Sequence, residues 1–514
     1  MSSLATPLRP ATRLAERVID ALEDPSRRER NALLVLLVYV ALWTFYGAVA
    51  KGAQDIHADM SEQFALAREL AFGYPKHPPL TMLIVRLWFA VLPVTDWAYY
   101  LLAMANAALA LWIAWLLSAR FLARDKQIVG LALLTFIPFF NFHALKFNSN
   151  TVLMPVWAAT TLFFLRSFET RRGLDAVLAG ICAAMAMYGK YWSIVLLLGL
   201  AIAAVADPRR ADYFRSRAPW ITVLVGAVAI APHLIWLVNN DFEPFSYAMS
   251  VNEKTSGLSA LASAAGYLLG SFAYVCVPLL FVLVSARPPS KTLADCAWPA
   301  SPERRLAAIA FWATLVMPAV IAPLAGVRLT SLWSMPAWTL MPVMLLSSPL
   351  ISILRADALR IVAIAVVFPI VMVALSPAIG FALHRAGAAA DAHSSLLAGP
   401  VEQLWRATTN RPLKLFSSTE VLVDGVPFYL RDHPIPVHVL ERGAMPGEDS
   451  RIERDGVALL CPMGSPGCLA RASAQAERSP TSKRLEIEVS RGYLGSKGTP
   501  ARYLAIAIPP RASP

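Results

Sequence analysis

Charge is scarce in this chain. Asp, Glu, Lys and Arg make up only 16% of its 514 residues, against 57% hydrophobic residues, and the mean hydropathy is +0.53. That balance excludes an ordinary soluble globular protein. Metal-type Cys/His spacings are also missing, so no zinc or iron–sulfur site is legible. No small-residue cleavage site follows the first apolar run, which therefore reads as a retained anchor and not a removed signal peptide. Neither an inverted repeat nor a matched pair of interrupted apolar runs is visible, which argues against the usual secondary transporter. Acids are outnumbered by Lys and Arg, 34 to 46, for a net charge of +12. Most of that surplus sits in short loops between apolar runs. There it orients a membrane protein, and it does not signal nucleic-acid binding.

What the chain has is apolar runs of roughly 18 to 22 residues, long enough to cross a bilayer as helices. The first is Asn31–Ala50, preceded by Arg27, Arg28 and Arg30, which puts the N-terminal segment 1–30 in the cytoplasm. Further expected spans are Trp97–Phe121, Ile128–Phe142, Thr151–Leu165, Leu174–Tyr188, Trp192–Ala206, Ile221–Val238, Ala264–Val284, Leu306–Ala325, Ser331–Leu346 and Ile361–His384. That makes about eleven transmembrane helices over 31–385. The loops containing Arg120/Arg124, Arg166/Arg171/Arg172, Arg209/Arg210, Arg287/Arg304/Arg305 and Arg355/Arg360 then all face the cytoplasm. The alternation works only if Leu80–Val94, short and carrying Arg86, is an interfacial helix and not a span.

The chain thus leaves the membrane on the outside after His384. Residues 386–514 are polar and rich in Pro and Arg. β-like runs at Glu420–Leu430, Val437–Leu440, Gly456–Cys461, Leu485–Val489 and Tyr503–Ile508 predict a small α/β or mostly β domain. Cys461 and Cys468 lie in it, at a spacing compatible with a local disulfide in an oxidising compartment or with two unpaired thiols. Cys182 and Cys276 fall in spans and read as packing residues. The fold class expected is an α-helical polytopic membrane protein with a small C-terminal α/β domain.

The same topology gathers the unusual polar residues on the outer side. Loop 51–96 carries Asp55, His57, Asp59, Glu62, Tyr74, Lys76 and His77. Later outer loops carry His143, Lys146, Asn148 and Asn150, then Tyr188, Lys190 and Tyr191, then Asn239, Asn240, Asp241 and Glu243, with His233 before them and Tyr247 and Lys254 beyond, and last Arg328. Lys in short outer loops runs against the positive-inside bias, and a bound phosphate would account for it. Each residue also has a plainer role open to it. Asp59 and Glu62 would cap or solvate a helix from Met60 to Phe72, Pro78-Pro79 would start the next helix, Lys76 would snorkel, and Lys190 would join an aromatic belt with Tyr191 and Trp192. His143 and His233 suit packing better than catalysis.

The series Asp59-Met-Ser-Glu62, Gly73-Tyr74-Pro-Lys76-His77-Pro78-Pro79-Leu80, Lys146-Phe-Asn148-Ser-Asn150 and Tyr188-Gly-Lys190-Tyr191, with Phe163-Phe-Leu-Arg166, resembles the GT-C membrane glycosyltransferases. Within them it is similar to the bacterial protein O-mannosyltransferase group (glycosyltransferase family 39), which includes the aminoarabinose transferases acting on lipid A. The resemblance covers roughly Asn31 to Asn240. Many members carry adjacent Asp-Glu in the first loop. Here Asp59 and Glu62 are three apart, which on a helix still gives one face.

The resemblance implies a polyprenyl-phosphate sugar as donor and an envelope glycan, lipid A or protein as acceptor. It also implies inversion at the anomeric carbon, membrane lipids around the bundle, the bacterial inner membrane as location, and a periplasmic C-terminal domain. Asp59 is then the candidate base, with Glu62 its companion. Lys76, His77, Lys146, Lys190 and Arg328 are candidates for the donor phosphate. Tyr74, Asn148, Tyr191 and Asn239 are candidates for substrate contact. No cofactor is implied with certainty: a divalent metal on Asp59 and Glu62 is compatible, and Lys residues would neutralise phosphate without it. The competing expectation is a transporter or flippase of a lipid-linked or anionic substrate.

Overall fold

The helices begin and end where local chemistry dictates. A computed structural model describes residues 9–251, 257–387, 393–443 and 447–511; Lys254 lies outside them. Helix Pro302–Ala325 shows the pattern: the Ser301 hydroxyl accepts the Arg304 N–H, Pro302 opens the first turn, and Gly326 closes the helix with φ 66°. Helix Arg28–Ala50 begins among the basic residues that precede the first run and takes in Arg28 and Arg30.

Five helices among the described residues are long and apolar enough to cross a membrane: Arg28–Ala50, Asp96–Ser118, Ala218–Asn239, Pro302–Ala325 and Arg355–Arg385. A sixth span results if Gly257–Tyr274 and Cys276–Ala286, bent by 56°, count as one. These coincide with expected spans. The other expected spans are shorter or less apolar. Ile128–Phe142 is helical only through Thr135 and then turns 3₁₀ at Pro138–Phe140, because a proline ring cannot continue the ladder. Ser331–Leu346 runs as 3₁₀ over Ser331–Leu340, with Pro336 inside, before one α turn. The segment expected at the interface is the ten-residue helix Leu80–Phe89, below spanning length.

The chain divides into two compact units. The first comprises Met1–Thr44, Ala71–Thr81 and Leu101–Val371. Within it small residues let helices meet: a Cβ on Gly180 would lie 2.6 Å from the Thr222 carbonyl, and one on Gly199 would lie 2.4 Å from the Thr314 hydroxyl. The second comprises Phe45–Leu70, Met82–Tyr100 and Met372–Pro514.

The second unit holds a sheet of β1 (Leu415–Ser417), β2 (Ile435–Pro436), β3 (Val457–Pro462), β4 (Lys483–Val489) and β7 (Ala501–Ile508), in the order β2-β1-β3-β7-β4. A separate hairpin pairs β5 (Gly492–Tyr493) with β6 (Ser496–Lys497). β1 runs parallel to β2 and β3, while β7 is antiparallel to β3 and β4. Alternation splits the core. Ala458, Leu460, Ala505 and Ala507 face one cluster with Leu397, Trp405 and Val426; Leu459, Cys461, Ile506 and Ile508 face another with Leu440, Ile452 and Cys468. Both faces of the sheet are therefore buried.

The runs expected at Gly456–Cys461, Leu485–Val489 and Tyr503–Ile508 are strands. Glu420–Leu430 is not: Val421–Tyr429 is a helix. Its apolar residues fill the space against helix Ser394–Thr408, and a Cβ on Gly425 would sit 2.4 Å from the Ser394 hydroxyl. Val437–Leu440 likewise gives way to a short helix, Val439–Arg442.

Cys461 and Cys468 form a disulfide that ties the end of β3 to the first turn of helix Pro466–Glu477. Closing so short a loop is worth about 2–3 kcal/mol in the chain-entropy account. Thermal unfolding of the detergent-solubilised protein should show this sheet melting earlier in the Cys461→Ala/Cys468→Ala variant. An unchanged transition would mean the bridge contributes nothing.

Candidate functional site

In the first unit the corner Gly73–Pro79 is held by the helix Ala218–Asn239. Gly73 is buried beneath Trp236, and a Cβ added to it would lie 2.2 Å from the indole ring. Only glycine fits that approach. Gly73→Ala should cost about 1–3 kcal/mol by overpacking, read as faster limited proteolysis around 71–81; wild-type resistance would contradict it. The Tyr74 N–H donates to the His77 carbonyl at 3.0 Å and closes the turn. Tyr74 is buried, His77 half-buried and Lys76 exposed, its Nζ 5.5 Å from the centre of the Tyr247 ring.

His233 fastens the same corner. Its Nδ1 lies 2.6 Å from the Phe72 carbonyl, which can only accept, so Nδ1 carries the proton. In the neutral ring Nε2 then accepts from the Tyr191 phenol at 2.9 Å. The Tyr191 ring stacks on His233 and on Phe245 at 4.7 Å. Phe245 follows Asp241 and Phe242, whose φ values of 50° and 54° are left-handed and strained for side-chain-bearing residues.

Lys190 caps the helix Gly173–Gly189. Its Nζ donates to Asn150 Oδ1 at 2.6 Å and lies 5.1 Å from the centre of the Trp333 ring. The Trp192 indole N–H donates to the Trp333 carbonyl at 3.1 Å, which holds the Trp333 backbone. Asn150 is aimed by its neighbour: Asn148 is buried and its Oδ1 accepts the Asn150 and Thr151 N–H groups at 2.9 and 3.1 Å. Asn148 thus builds a turn, and Asn150 carries the contact to Lys190. The Ser149 hydroxyl lies 3.4 Å from that of Thr81, beside the corner.

Lys146 precedes this turn, and its carbonyl accepts from Thr151 at 3.2 Å. Burial, and then the Lys146 charge, hold the His143 imidazole below its ordinary range. Arg328 is exposed in the loop leading to Trp333, and Asn239 is exposed at the end of its helix. Sequence reading missed Trp236 and Trp333 and took His233 for packing. The one available signal was a Trp in the same heptad turn as that His.

In the second unit Asp59 and Glu62 sit on the helix Ala58–Leu66, both half-buried and one turn apart on one face. This helix stops at Leu66, short of the Phe72 expected. His57 caps it, with Nδ1 accepting the Asp59 N–H at 3.1 Å and lying 3.4 Å from Asp59 Oδ1. The opposite face is locked down. Met60, Gln63 and Phe64 are buried, the Tyr99 phenol donates to the Met60 carbonyl at 2.9 Å, and Phe64 packs edge-on against Phe89, Phe428 and His433. Burial holds the His433 imidazole below its ordinary range.

Asp55 has a different place from its neighbours in sequence. Its carboxylate accepts the Ser394 and Ser395 N–H groups at 2.7 and 3.2 Å and the Ser395 hydroxyl at 2.6 Å. It also pairs with Arg491 at 2.6 Å, the two side chains only 10% and 9% exposed. It is an anion at the start of helix Ser394–Thr408. Among the described residues no group of three or more His, Cys, Asp or Glu is arranged to hold a metal ion.

Residues 76–236 match the family model of dolichyl-phosphate-mannose-protein mannosyltransferases. The chain is also similar in fold to ArnT of Cupriavidus metallidurans bound to undecaprenyl phosphate, with a TM-score of 0.62 over 94% of this chain and 99% of that one, at 15% identity. The chain has the fold of ArnT, and its segment 76–236 resembles the mannosyltransferases. Apo ArnT gives a TM-score of 0.59 at 13% identity over 92% of this chain and 97% of its own. In sequence, this chain is 26% identical over 342 residues to the lipopolysaccharide core galacturonosyltransferase RgtB of Rhizobium johnstonii. That match takes in 62% of this chain and 65%, just under two thirds, of RgtB.

Proposed function

We propose that the chain transfers a sugar from a polyprenyl-phosphate donor to an envelope acceptor on the periplasmic side of a bacterial inner membrane. The observation that carries this reading is the setting of Lys190, held at a helix end by Asn150 and Trp333 inside the stretch matched by the mannosyltransferase model. The undecaprenyl phosphate bound to ArnT supports the lipid donor, and RgtB supports a lipopolysaccharide acceptor over a protein. The Cys461–Cys468 bridge supports an oxidising compartment, the periplasm, for 386–514, and the basic loops support a cytoplasmic N-terminus.

The chemistry assigns the roles. An acceptor hydroxyl attacks the anomeric carbon, and its proton passes to the Asp59 carboxylate, with Glu62 as companion. The C–O bond to phosphate breaks, and its electron pair leaves with the lipid phosphate. Lys190, with Lys76, His77, Lys146 and Arg328, stabilises that growing charge. Tyr74, Tyr191 and Asn239 contact the sugar, while Asn148 sets the turn. Lys190→Ala should lower transfer about a hundredfold, with Lys190→Arg retaining part of it; equal rates for Lys190→Ala and wild type would remove Lys190.

A transporter would use the bent pair Gly257–Tyr274 and Cys276–Ala286, yet among the described residues it has no matching second pair. Mass spectrometry of envelope glycolipids decides. Cells lacking the chain should lose one glycosyl unit from an envelope lipid or glycan, restored by wild type; identical profiles in every fraction would overturn the transferase reading.

A further inference from the structure

The second unit contains a cavity of about 440 Å³ at the C-terminal end of helix Ser394–Thr408. Of its apolar lining residues Pro412 is exposed, while Trp405, Leu413 and Leu430 are at most 3% exposed; Arg406, Arg411 and Arg431 line its polar side. Two acids also face it, and both are engaged. Glu402 pairs with Arg406, and Asp432 Oδ2 accepts the Leu413 N–H at 2.8 Å. Arg411 and Arg431 are exposed and carry no ion pair among the described residues. The loops that bear them are hydrogen-bonded in place: Trp405 Nε1 donates to the Arg411 carbonyl at 2.7 Å, and the Asp432–Leu413 bond ties the two loops together.

We propose that this cavity binds an anionic saccharide, a sugar bearing a phosphate or a carboxylate. A guanidinium presents a planar fork matched to either group. Pro412 and the methylene stems of Arg411 and Arg431 offer a small apolar surface to a sugar ring, and the volume falls in the range of small-ligand sites. Neither feature alone selects a ligand; two unengaged guanidiniums on tied loops beside the exposed Pro412, in a cavity with room for a ring, select one that is part ring, part anion. The inference deepens the proposed function, and rests on it for one point only: the saccharide would be part of the acceptor glycan.

Isothermal titration of the full-length protein in detergent tests the cavity directly, with trigalacturonate, glucose 1-phosphate, inorganic phosphate and maltotriose as probes. At least one anionic saccharide should bind about tenfold or more tightly than maltotriose and inorganic phosphate, a gap of about 1.4 kcal/mol. The Arg411→Ala/Arg431→Ala variant should lose that preference. Unchanged binding in the variant, equal binding of phosphate alone, or no saccharide binding overturns the proposal. In transfer assays the same variant should raise KM for acceptor with kcat unchanged; an unchanged KM removes the acceptor role. If the wild-type protein transfers no sugar at all, the transferase reading fails while the titration still decides the cavity.

Discussion

Asp59→Asn is expected to lower sugar transfer by about a hundredfold to ten-thousandfold, the span of general-base contributions. The substitution keeps the shape of the side chain and removes its ability to take a proton. The helix that carries it should survive, since its anchors are Met60, Phe64 and the bond from Tyr99, all on the other face. Losing one carboxylate in a first turn costs about 0.3–1 kcal/mol at most exposed sites. The variant should therefore accumulate in membranes as wild type does. Glycolipid mass spectrometry beside an immunoblot reads both quantities. Near-wild-type transfer would take Asp59 out of the base role, and a parallel loss confined to Glu62→Gln would hand that role to Glu62.

The second large effect concerns stability. Asp55→Ala should destabilise the second unit by about 3–5 kcal/mol, because it removes the carboxylate ion-paired with the buried Arg491 guanidinium. It also strips the start of helix Ser394–Thr408 of its acceptor, a loss of about 1 kcal/mol in typical caps. Removing both partners in Asp55→Leu/Arg491→Leu should cost less than Asp55→Ala alone, since no uncompensated charge is left inside. Thermal unfolding of the purified variants ranks them. If Asp55→Ala melts with wild type, the pair does not hold this unit together.

The two predictions separate residues that stand four apart in one sequence cluster. Asp55 and Asp59 looked alike as outer-loop acids, and nothing local distinguishes them. The difference comes from Arg491, 436 residues downstream. Asn150 and Asn148 are separated in the same way: both are polar loop residues, yet one aims at Lys190 and the other folds its oxygen onto its own turn. Gly73 looked like an ordinary turn glycine until Trp236 closed over it.

The sequence by itself determined that the chain belongs in a membrane, where its longest helices run, and that β3, β4 and β7 are strands, because hydrophobic burial and backbone hydrogen bonding act over a single run of residues. It also brought Cys461 and Cys468 within reach of each other, since eight residues of chain keep them close. Tertiary structure alone decided that Val421–Tyr429 is a helix, that 331–340 winds as 3₁₀, that Asp55 is buried against Arg491, and that Lys190 lies against Trp333. Each of these depends on which distant surface a segment meets, and a contact between distant residues leaves no periodic trace in either of them.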